Sequence, residues 1–428
     1  MKLHTKILLG LLAGVVLGVA TNLTVGVDHP AVEFINTYLA VPVGQVFLRM
    51  LFMVVMPLVF ASITLGVAGL GDIRKVGRIG GKTMAYFFGT TALAAILGLI
   101  VVNVIQPWER VSPETRTELM AQFSTDAASR VEQASTTARF GPDTFVNIVP
   151  SNPVDAAART DMLGIIFFGL MFGAALTLIP PARAKPMIDF LEALSDVVIQ
   201  IIGFAMRLAP YGVACLIFTV SSRFGFDLLF AVAAFVITVL VALVLHLAIT
   251  ISSIVRFVLG LSPLVFFSRI KAVMITAFST SSSNATLPTS LNAAETQLGV
   301  SRQVAGFVLP LGATMCMNGT SIFEGITVIF LAQIFGVDLS IFQMAVVMTM
   351  AVVTAIGAAG VPGGSIPLLV GILVMFGVPG EAIAIVLGVD RILDMSRTSV
   401  NVVTDLTAAV WIAKTEGQWT PASLPQLK

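Results

Sequence analysis

Two short polar stretches interrupt otherwise apolar sequence in the C-terminal half of the chain: STSSSN at residues 279–284 and GAAGVPGG at residues 357–364. Flexible loops outside a membrane fit them less well, because apolar residues flank both stretches closely. Non-helical backbone at membrane depth is tolerated where protein or a water-filled cavity covers it. The two stretches therefore predict two re-entrant helical hairpins, at about 262–292 and 341–376.

The composition of the whole chain points to lipid as its surroundings. Of the 428 residues, 57% are hydrophobic and 11% are charged, which is more apolar sequence than one soluble core could bury. The 24 Lys and Arg nearly balance the 23 Asp and Glu, so net charge gives no argument for a nucleic-acid partner. Cys215 and Cys316 have no CxxC motif or nearby histidine, and neither a zinc site nor a cofactor is expected.

The fold class predicted is an all-α integral membrane protein with eight transmembrane helices and the two hairpins. A spanning helix needs about 20 apolar residues. Such runs lie near 7–25, 43–70, 83–105, 162–179, 191–220, 228–254, 305–335 and 382–414. A cleaved signal peptide is the alternative for the first run, but its length and the glycines at 10, 14 and 18 favour a retained helix packed on a neighbour.

The distribution of basic residues orients these spans, since cytoplasmic loops hold most Lys and Arg near span ends. Lys2, Lys6 and the group Arg74–Lys82 place the N-terminus in the cytoplasm, and the C-terminus follows. The pattern suits a bacterial inner membrane. The two hairpins then enter from opposite sides as inverted repeats, a geometry that places a binding site near the midplane. Residues 106–159 are expected to form an external loop.

The last span carries an unusual polar stripe. Its members are Asp390, Arg391, Asp394, Arg397, Thr398, Asn401 and Asp405. Each charge at mid-membrane costs about 2.5 to 3.5 kcal/mol on insertion scales. All but Arg391 fall on one helix face. Ion pairs that zip helices together are the plain interpretation, but Arg397 can also bind a carboxylate and Asp394 an ammonium group, which together suit an acidic amino acid.

The seventh span is interrupted in the same way, by TMCMNGTSIFEG at 314–325. We expect Gly319 to unwind the helix there and free carbonyl groups for a cation or ligand. Glu324, one turn further on in apolar surroundings, is a candidate proton carrier. An ion pair with Arg391 is the alternative role for Glu324.

Four motifs in order, SSSNATLP, MNGT, GAAGVPGG and DMSRTSVNVVTD, resemble the signature of the glutamate/aspartate transporter family, the dicarboxylate/amino acid:cation symporters. The resemblance covers nearly the whole chain. It implies a homotrimer that works by an elevator motion. Scaffold helices would span 1–70 and 160–220, and the mobile transport domain would comprise 83–105 and 228–428.

The resemblance also implies roles for individual residues. Asp394 would bind the substrate amino group and Arg397 its side-chain carboxylate. Asn401, with Ser283 and Asn284 at the first hairpin tip, would bind the main carboxylate. The pocket would be completed by Thr320, Val361 and Thr398.

The sequence departs from the family at the cation sites. Cys316 and Asn318 stand where the family usually has an asparagine and an aspartate, and a thiol is a poor ligand for a hard cation. A reduced sodium site at Asn401 and Asp405, with Asn318, Thr90 and Thr91, stays open.

Two further positions resemble proton-linked members of the family. Glu324 matches their protonatable glutamate. Ser281 replaces the arginine of the first hairpin, and Arg391 in the last span stands instead. Proton symport of acidic amino acids is therefore predicted, with sodium-coupled aspartate/glutamate or C4-dicarboxylate symport as the alternative. Potassium counter-transport, with Glu324 paired to Arg391 in the empty carrier, also stays open.

Other function classes fit the sequence less well. An intramembrane hydrolase would use the serines at 279–283, but there is no GxSxG motif and the three histidines lie far from them in sequence. In a channel, the Asp394 and Arg397 pair would bind an ion tightly rather than let it pass, which suits a carrier better. The sequence thus predicts a carrier that is not an enzyme.

Overall fold

The computed structural model describes residues 3–26, 29–68, 73–112, 115–117, 149–158, 162–356, 360 and 363–420. Within these ranges the backbone is helical apart from turns, and its one extended pairing is an isolated bridge between Val300 and Trp419. This confirms the all-helical prediction. Most of the predicted external loop at 106–159 falls outside the described residues.

The described residues of the N-terminal half form eight α-helices. They are α1 (Leu3–Thr24), α2 (Pro30–Ile35), α3 (Val41–Phe52), α4 (Val55–Ala68), α5 (Ile73–Ile105), α6 (Pro153–Ala158), α7 (Met162–Leu178) and α8 (Pro181–Leu245). A π-helical turn, Asn36–Ala40, joins α2 to α3. Prolines begin α2, α6 and α8, where the missing N–H has no helical partner to lose.

The described residues of the C-terminal half form seven α-helices. They are α9 (Pro263–Thr280), α10 (Ser283–Thr296), α11 (Arg302–Met315), α12 (Asn318–Ile334), α13 (Ile341–Ile356), α14 (Ile366–Met375) and α15 (Ala384–Thr415). Two π-helical turns, His246–Ile251 and Ile254–Leu259, lead from α8 towards α9. The pairs α9/α10 and α13/α14 are helical hairpins at the predicted places.

Seven stretches of the described chain are helical, long and apolar enough to cross a membrane. They are Thr5–Thr24, Pro30–Leu65, Arg78–Arg110, Pro181–Arg223, Leu228–Leu259, Pro263–Thr280 and Arg302–Ile334. Helix α7 is too short for this set, with 17 residues, and α15 carries the charged stripe. The set therefore includes six of the eight predicted spans, together with the first arm of hairpin α9/α10.

Helix α8 differs from the prediction because it runs unbroken through 221–227, where the sequence predicts a break between two spans. The only helix breaker in that stretch is Gly225. A glycine inside a helix costs about 1 kcal/mol relative to alanine, which is too little to end a long helix. Gly10 and Gly14 of α1 lie against the carbonyl oxygens of Pro210 and Ala214 in α8, so the predicted close packing of the glycines is confirmed.

The core that positions the site is built around α12. Every residue of this helix except Gln333 is buried, so its polar residues lie inside the protein together with its apolar ones. Helix α15 packs against α12, against both arms of hairpin α9/α10 and against α11. The polar stripe of α15 therefore lies in the protein interior.

Candidate functional site

The tips of the two hairpins meet. Ser282 precedes α10 and accepts a hydrogen bond from the Ala285 amide at 3.2 Å, which caps that helix. Its hydroxyl also donates to the carbonyl oxygen of Gly360, in the second hairpin, at 2.6 Å. The amide of Asn284 donates to the same carbonyl at 3.3 Å. The two polar stretches are thus joined by hydrogen bonds at the hairpin tips.

Arg397 is the most buried charged residue of the stripe, with 1% of its surface exposed. Its Nη2 donates to Oδ1 of Asp390 and to Oδ1 of Asp394, both at 3.0 Å. Its Cζ lies 3.8 Å from the ring centroid of Phe323, within cation–π range. Nε and Nη1 have no hydrogen-bond partner among the described residues. The guanidinium is therefore held in place with donors left for an anionic ligand.

Asp394 connects the stripe to the second hairpin. Its Oδ2 accepts a hydrogen bond from the Gly363 amide at 3.3 Å and lies 3.9 Å from Nη1 of Arg391. The hydroxyl of Thr398 donates to the Asp394 carbonyl at 2.8 Å, so it is already satisfied within α15. The second tip is thus in direct contact with the carboxylate predicted to hold an ammonium group.

The break in the seventh span lies at Cys316 and Met317, between α11 and α12, and the prediction that Gly319 unwinds the helix is wrong. Gly319 is helical and its amide donates to Oδ1 of Asn401 at 2.7 Å. A Cβ atom on Gly319 would lie 2.7 Å from the carbonyl oxygen of Arg397. The glycine is needed for close packing of α12 on α15 rather than for unwinding.

Asn401 hydrogen-bonds both a residue of this break and a candidate substrate-binding residue. Its Nδ2 donates to Sδ of Met317 at 3.1 Å and to Oγ1 of Thr320 at 3.3 Å. Asn401 is buried, with 2% exposed. The structure therefore brings Asn401 and Thr320 together.

The candidate cation ligands cluster around Cys316. Its sulfur lies 3.6 Å from Oδ1 of Asn318 and lies next to Asp405 and Thr90. Thr91 Oγ1 lies 2.8 Å from the same Asn318 oxygen. Asp405 packs against Gly312, and its Oδ1 has no hydrogen-bond partner in the part of the chain that the structure describes.

Glu324 lies one turn after Thr320 and is fully buried. Its Oε2 is 2.8 Å from the hydroxyl of Thr354 in α13, and its Oε1 has no partner within the described ranges. Among the described residues, Arg391 pairs with Asp394, and it does not form the alternative ion pair with Glu324.

Comparison with known proteins decides the family. The chain matches the sodium:dicarboxylate symporter family over residues 3–415. It belongs to this family. A proton/sodium-glutamate symport protein of Bacillus subtilis strain 168 is 36% identical over 98% of this chain and 94% of its own length. The proton/glutamate-aspartate symporter of Escherichia coli K12 is 35% identical over 95% and 92%. A C4-dicarboxylate transport protein of B. subtilis is 33% identical over 89% and 88%.

Membership in the symporter family makes the chain a multi-pass membrane transporter and not an enzyme. The relatives' names share a dicarboxylate or glutamate substrate. The names differ in whether the substrate carries an amino group and in which coupling ions they mention. Those finer questions depend on the residues of the site.

The remaining predicted residues of this symporter lie as follows. Ser283 is buried at the start of α10, whereas Asn284 beside it is exposed. Val361 lies outside the described residues. Ser281 adopts a left-handed backbone, with φ of 52°, at the turn between the arms.

Several contacts were not predicted. They involve His246, Phe323, Thr354, Gly363 and the pairing of Asp390 with Arg397. His246 and Thr354 are each an isolated polar residue in an apolar run, which is the signal that sequence offers for them. Phe323 and Gly363 carry no such signal, because an apolar residue and a glycine are unremarkable in these spans.

Proposed function

We propose that this chain is a symporter of acidic amino acids, glutamate or aspartate, that is coupled to protons and depends little or not at all on sodium. The names of its relatives support the substrate class at the level of glutamate and dicarboxylates. The finer assignment depends on the geometry around Arg397, Asp394 and Glu324.

Charge complementarity supports an amino acid with a second carboxylate. The unpartnered Nε and Nη1 of Arg397 suit the side-chain carboxylate, and two parallel charge-assisted bonds would form there. Asp394, one turn away, suits the substrate ammonium. A C4-dicarboxylate lacks that ammonium and would bring a second negative charge towards Asp394. Asn401, with Ser283 and Asn284, is proposed to bind the main carboxylate. The pocket would be completed by Thr320, Thr398 and Val361.

The observation that supports proton coupling most strongly is the hydrogen-bond arrangement at Glu324. Oγ1 of Thr354, which carries a single proton, lies 2.8 Å from Oε2 of Glu324 and 2.8 Å from the carbonyl oxygen of Met350. An ionised Glu324 would compete with Met350 for this proton. A protonated Glu324 donates to Thr354, which then donates to Met350, so both bonds form at once. The geometry therefore suits a carboxyl group that carries a proton.

The mechanism follows from these contacts. Substrate binds with Glu324 protonated, so no unpaired negative charge is buried as the site moves, and burying such a charge would be costly. Glu324 releases its proton on the inside, and the carrier returns. Arg391 lies near Asp394, and its positive charge is proposed to offset the negative charge around the substrate-free site.

The assembly and placement are proposed from the family resemblance and the basic loops. We assign a homotrimer in a bacterial inner membrane, with both termini in the cytoplasm. Scaffold helices at 1–70 and 160–220 would support a transport domain of 83–105 and 228–428 that moves as an elevator.

Uptake and competition in proteoliposomes test the substrate assignment. Labelled aspartate uptake should be competed by aspartate or glutamate far better than by succinate. In Asp394→Asn the preference for aspartate over succinate should shrink, because the ammonium loses its partner while Asp390 still holds Arg397. Better competition by succinate than by either amino acid in the parent chain would overturn the proposal in favour of C4-dicarboxylate transport.

A further inference from the structure

A buried hydrogen-bond network lies behind the break between α11 and α12. Its members are Thr91 of α5, Asn318 at the start of α12 and His246, which follows α8. Nδ2 of Asn318 lies 3.1 Å from Nε2 of His246, and Oδ1 lies 2.8 Å from Oγ1 of Thr91. None of the three is exposed by more than 1%. Three separate segments therefore meet at one side-chain amide.

The protons of this network can be placed in two complete ways. Thr91 has one hydroxyl proton but lies 2.7 Å from the carbonyl oxygen of Phe87 as well as 2.8 Å from Asn318. If Thr91 donates to Asn318, the amide donates to His246. If Thr91 donates to Phe87, a flipped amide donates to Thr91 and accepts from His246. In both arrangements every Asn318 contact is satisfied by neutral partners.

These residues do not suit a sodium ion. Hard cations are bound by oxygen ligands, and here the fourth neighbour, Cys316, offers a soft sulfur 3.6 Å from the amide oxygen. A cation entering between Thr91 and Asn318 would break the bonds just described. It would also find no carboxylate within the network to balance its charge, and an unbalanced buried charge is costly. Asp405, beside Cys316, is outside the network.

We propose that His246 and Asn318 form an internal lock that takes the place of a bound cation at this break. The neutral pair fixes the start of α12, where the Gly319 amide binds Asn401 and Thr320 faces the substrate site. His246 is thus a positioning residue that determines ion specificity. The inference deepens the proposed function and rests on it for its consequence in transport, namely that this position takes up no sodium.

Sodium binding to the purified, substrate-free protein tests the lock without any transport. The melting temperature is compared in sodium chloride and in choline chloride at equal concentration. An Asp405→Asn background removes the other candidate site. This background should show no sodium-specific shift. Adding Asn318→Asp and His246→Ala together should create one, because a carboxylate then lies between Thr91 and the space that His246 vacates, and a bound ion stabilises the folded state.

A matched control is Thr238→Val, which changes a buried hydroxyl of α8 whose one hydrogen bond among the described residues is to the Ala234 carbonyl. It should create no sodium response. Two outcomes overturn the proposal. One is sodium-specific stabilisation of the background that disappears in Asn318→Leu. The other is a monodisperse Asn318→Asp/His246→Ala protein that does not respond to sodium.

If that double variant does not fold, the melting temperatures of His246→Gln and His246→Ala test the lock instead. Gln keeps a neutral hydrogen-bonding group near Asn318 and should keep the melting temperature, whereas Ala should lower it. Equal losses in both variants would refute the lock. The expected sodium responses without any amino acid uptake would refute the proposed substrate but leave the lock standing.

Discussion

Thr354 of α13 hydrogen-bonds Glu324 of α12 across 2.8 Å, so the arm of the second hairpin contacts the carboxyl group assigned to the coupling proton. The tip of the same hairpin contacts Asp394 through the Gly363 amide. Movement of this hairpin would therefore change the surroundings of the proposed substrate residue Asp394 and of the proposed proton carrier Glu324 together.

Replacing Thr354 tests this connection. Thr354→Val keeps the shape but removes the hydroxyl that Glu324 bonds, leaving a buried carboxyl oxygen without a partner at a cost of about 1–3 kcal/mol. Proton-driven uptake should fall by about tenfold or more. Thr354→Ser keeps the hydroxyl and should transport like the parent chain. Equal activity of the Val and Ser variants, measured as initial uptake rates, would show that the contact is not used.

Arg397→Lys tests recognition of the side-chain carboxylate. Lysine has no planar fork, so it cannot hold Asp390 and Asp394 while binding a ligand bidentately. Loss of one or two charge-assisted bonds, at about 1.5–3 kcal/mol each, predicts aspartate binding weaker by tenfold or much more. Calorimetric titration of the purified protein with aspartate measures this affinity. Arg207→Lys, at an exposed position away from the stripe, is the control, and unchanged affinity in Arg397→Lys would contradict the assignment.

Gly319→Ala tests the close approach of α12 and α15. Its Cβ would lie 2.7 Å from the Arg397 carbonyl oxygen, so the helices must separate. Overpacking of this kind costs about 1–3 kcal/mol, and the melting temperature should fall together with aspartate affinity. Gly306→Ala in α11 meets no atom within 4 Å and should leave both unchanged. Similar behaviour of the two variants would show that the contact at Gly319 is unimportant.

Glu416 gives the protein a pH-dependent contact at the end of α15. Hydrogen bonds from Arg78 and then Lys82 lower the pKa of Glu416 below its ordinary value of 4.5. Because the folded pKa is the lower one, the stabilisation is complete above about pH 4.5 and is lost as the pH falls through the folded value.

Melting temperatures of the parent and Glu416→Gln should therefore differ at pH 7 and converge in acid. The difference should also shrink at high salt, because Arg78 is exposed. A constant difference from pH 7 to pH 3 would contradict the assignment.

The sequence predicts the helical class and both hairpins well, because apolar run length and the two polar interruptions depend on local composition. It places the Arg397 and Asp394 pair on one face of α15 for the same reason. The continuity of α8 through Gly225 is not predictable in this way, because a single glycine neither requires nor forbids a helix.

Contacts between distant segments are the part that sequence does not give. Nothing local indicates that His246 meets Asn318, 72 positions later, or that Thr354 meets Glu324, 30 positions earlier. Gly319 shows the same limit. A glycine after a polar cluster suggests unwinding, but its role depends on the backbone of α15 at Arg397, which only the folded structure places there.

Uptake of labelled aspartate into proteoliposomes, with an inward proton gradient or an inward sodium gradient imposed separately, tests the central claim most directly. The account predicts uptake driven by the proton gradient alone in the parent chain. That proton-driven uptake should be lost in Glu324→Gln, which keeps a hydrogen bond to Thr354 but has no ionisable group, while exchange of internal for external aspartate continues. Uptake that requires sodium in the parent, or proton-driven uptake that survives in Glu324→Gln, would contradict it.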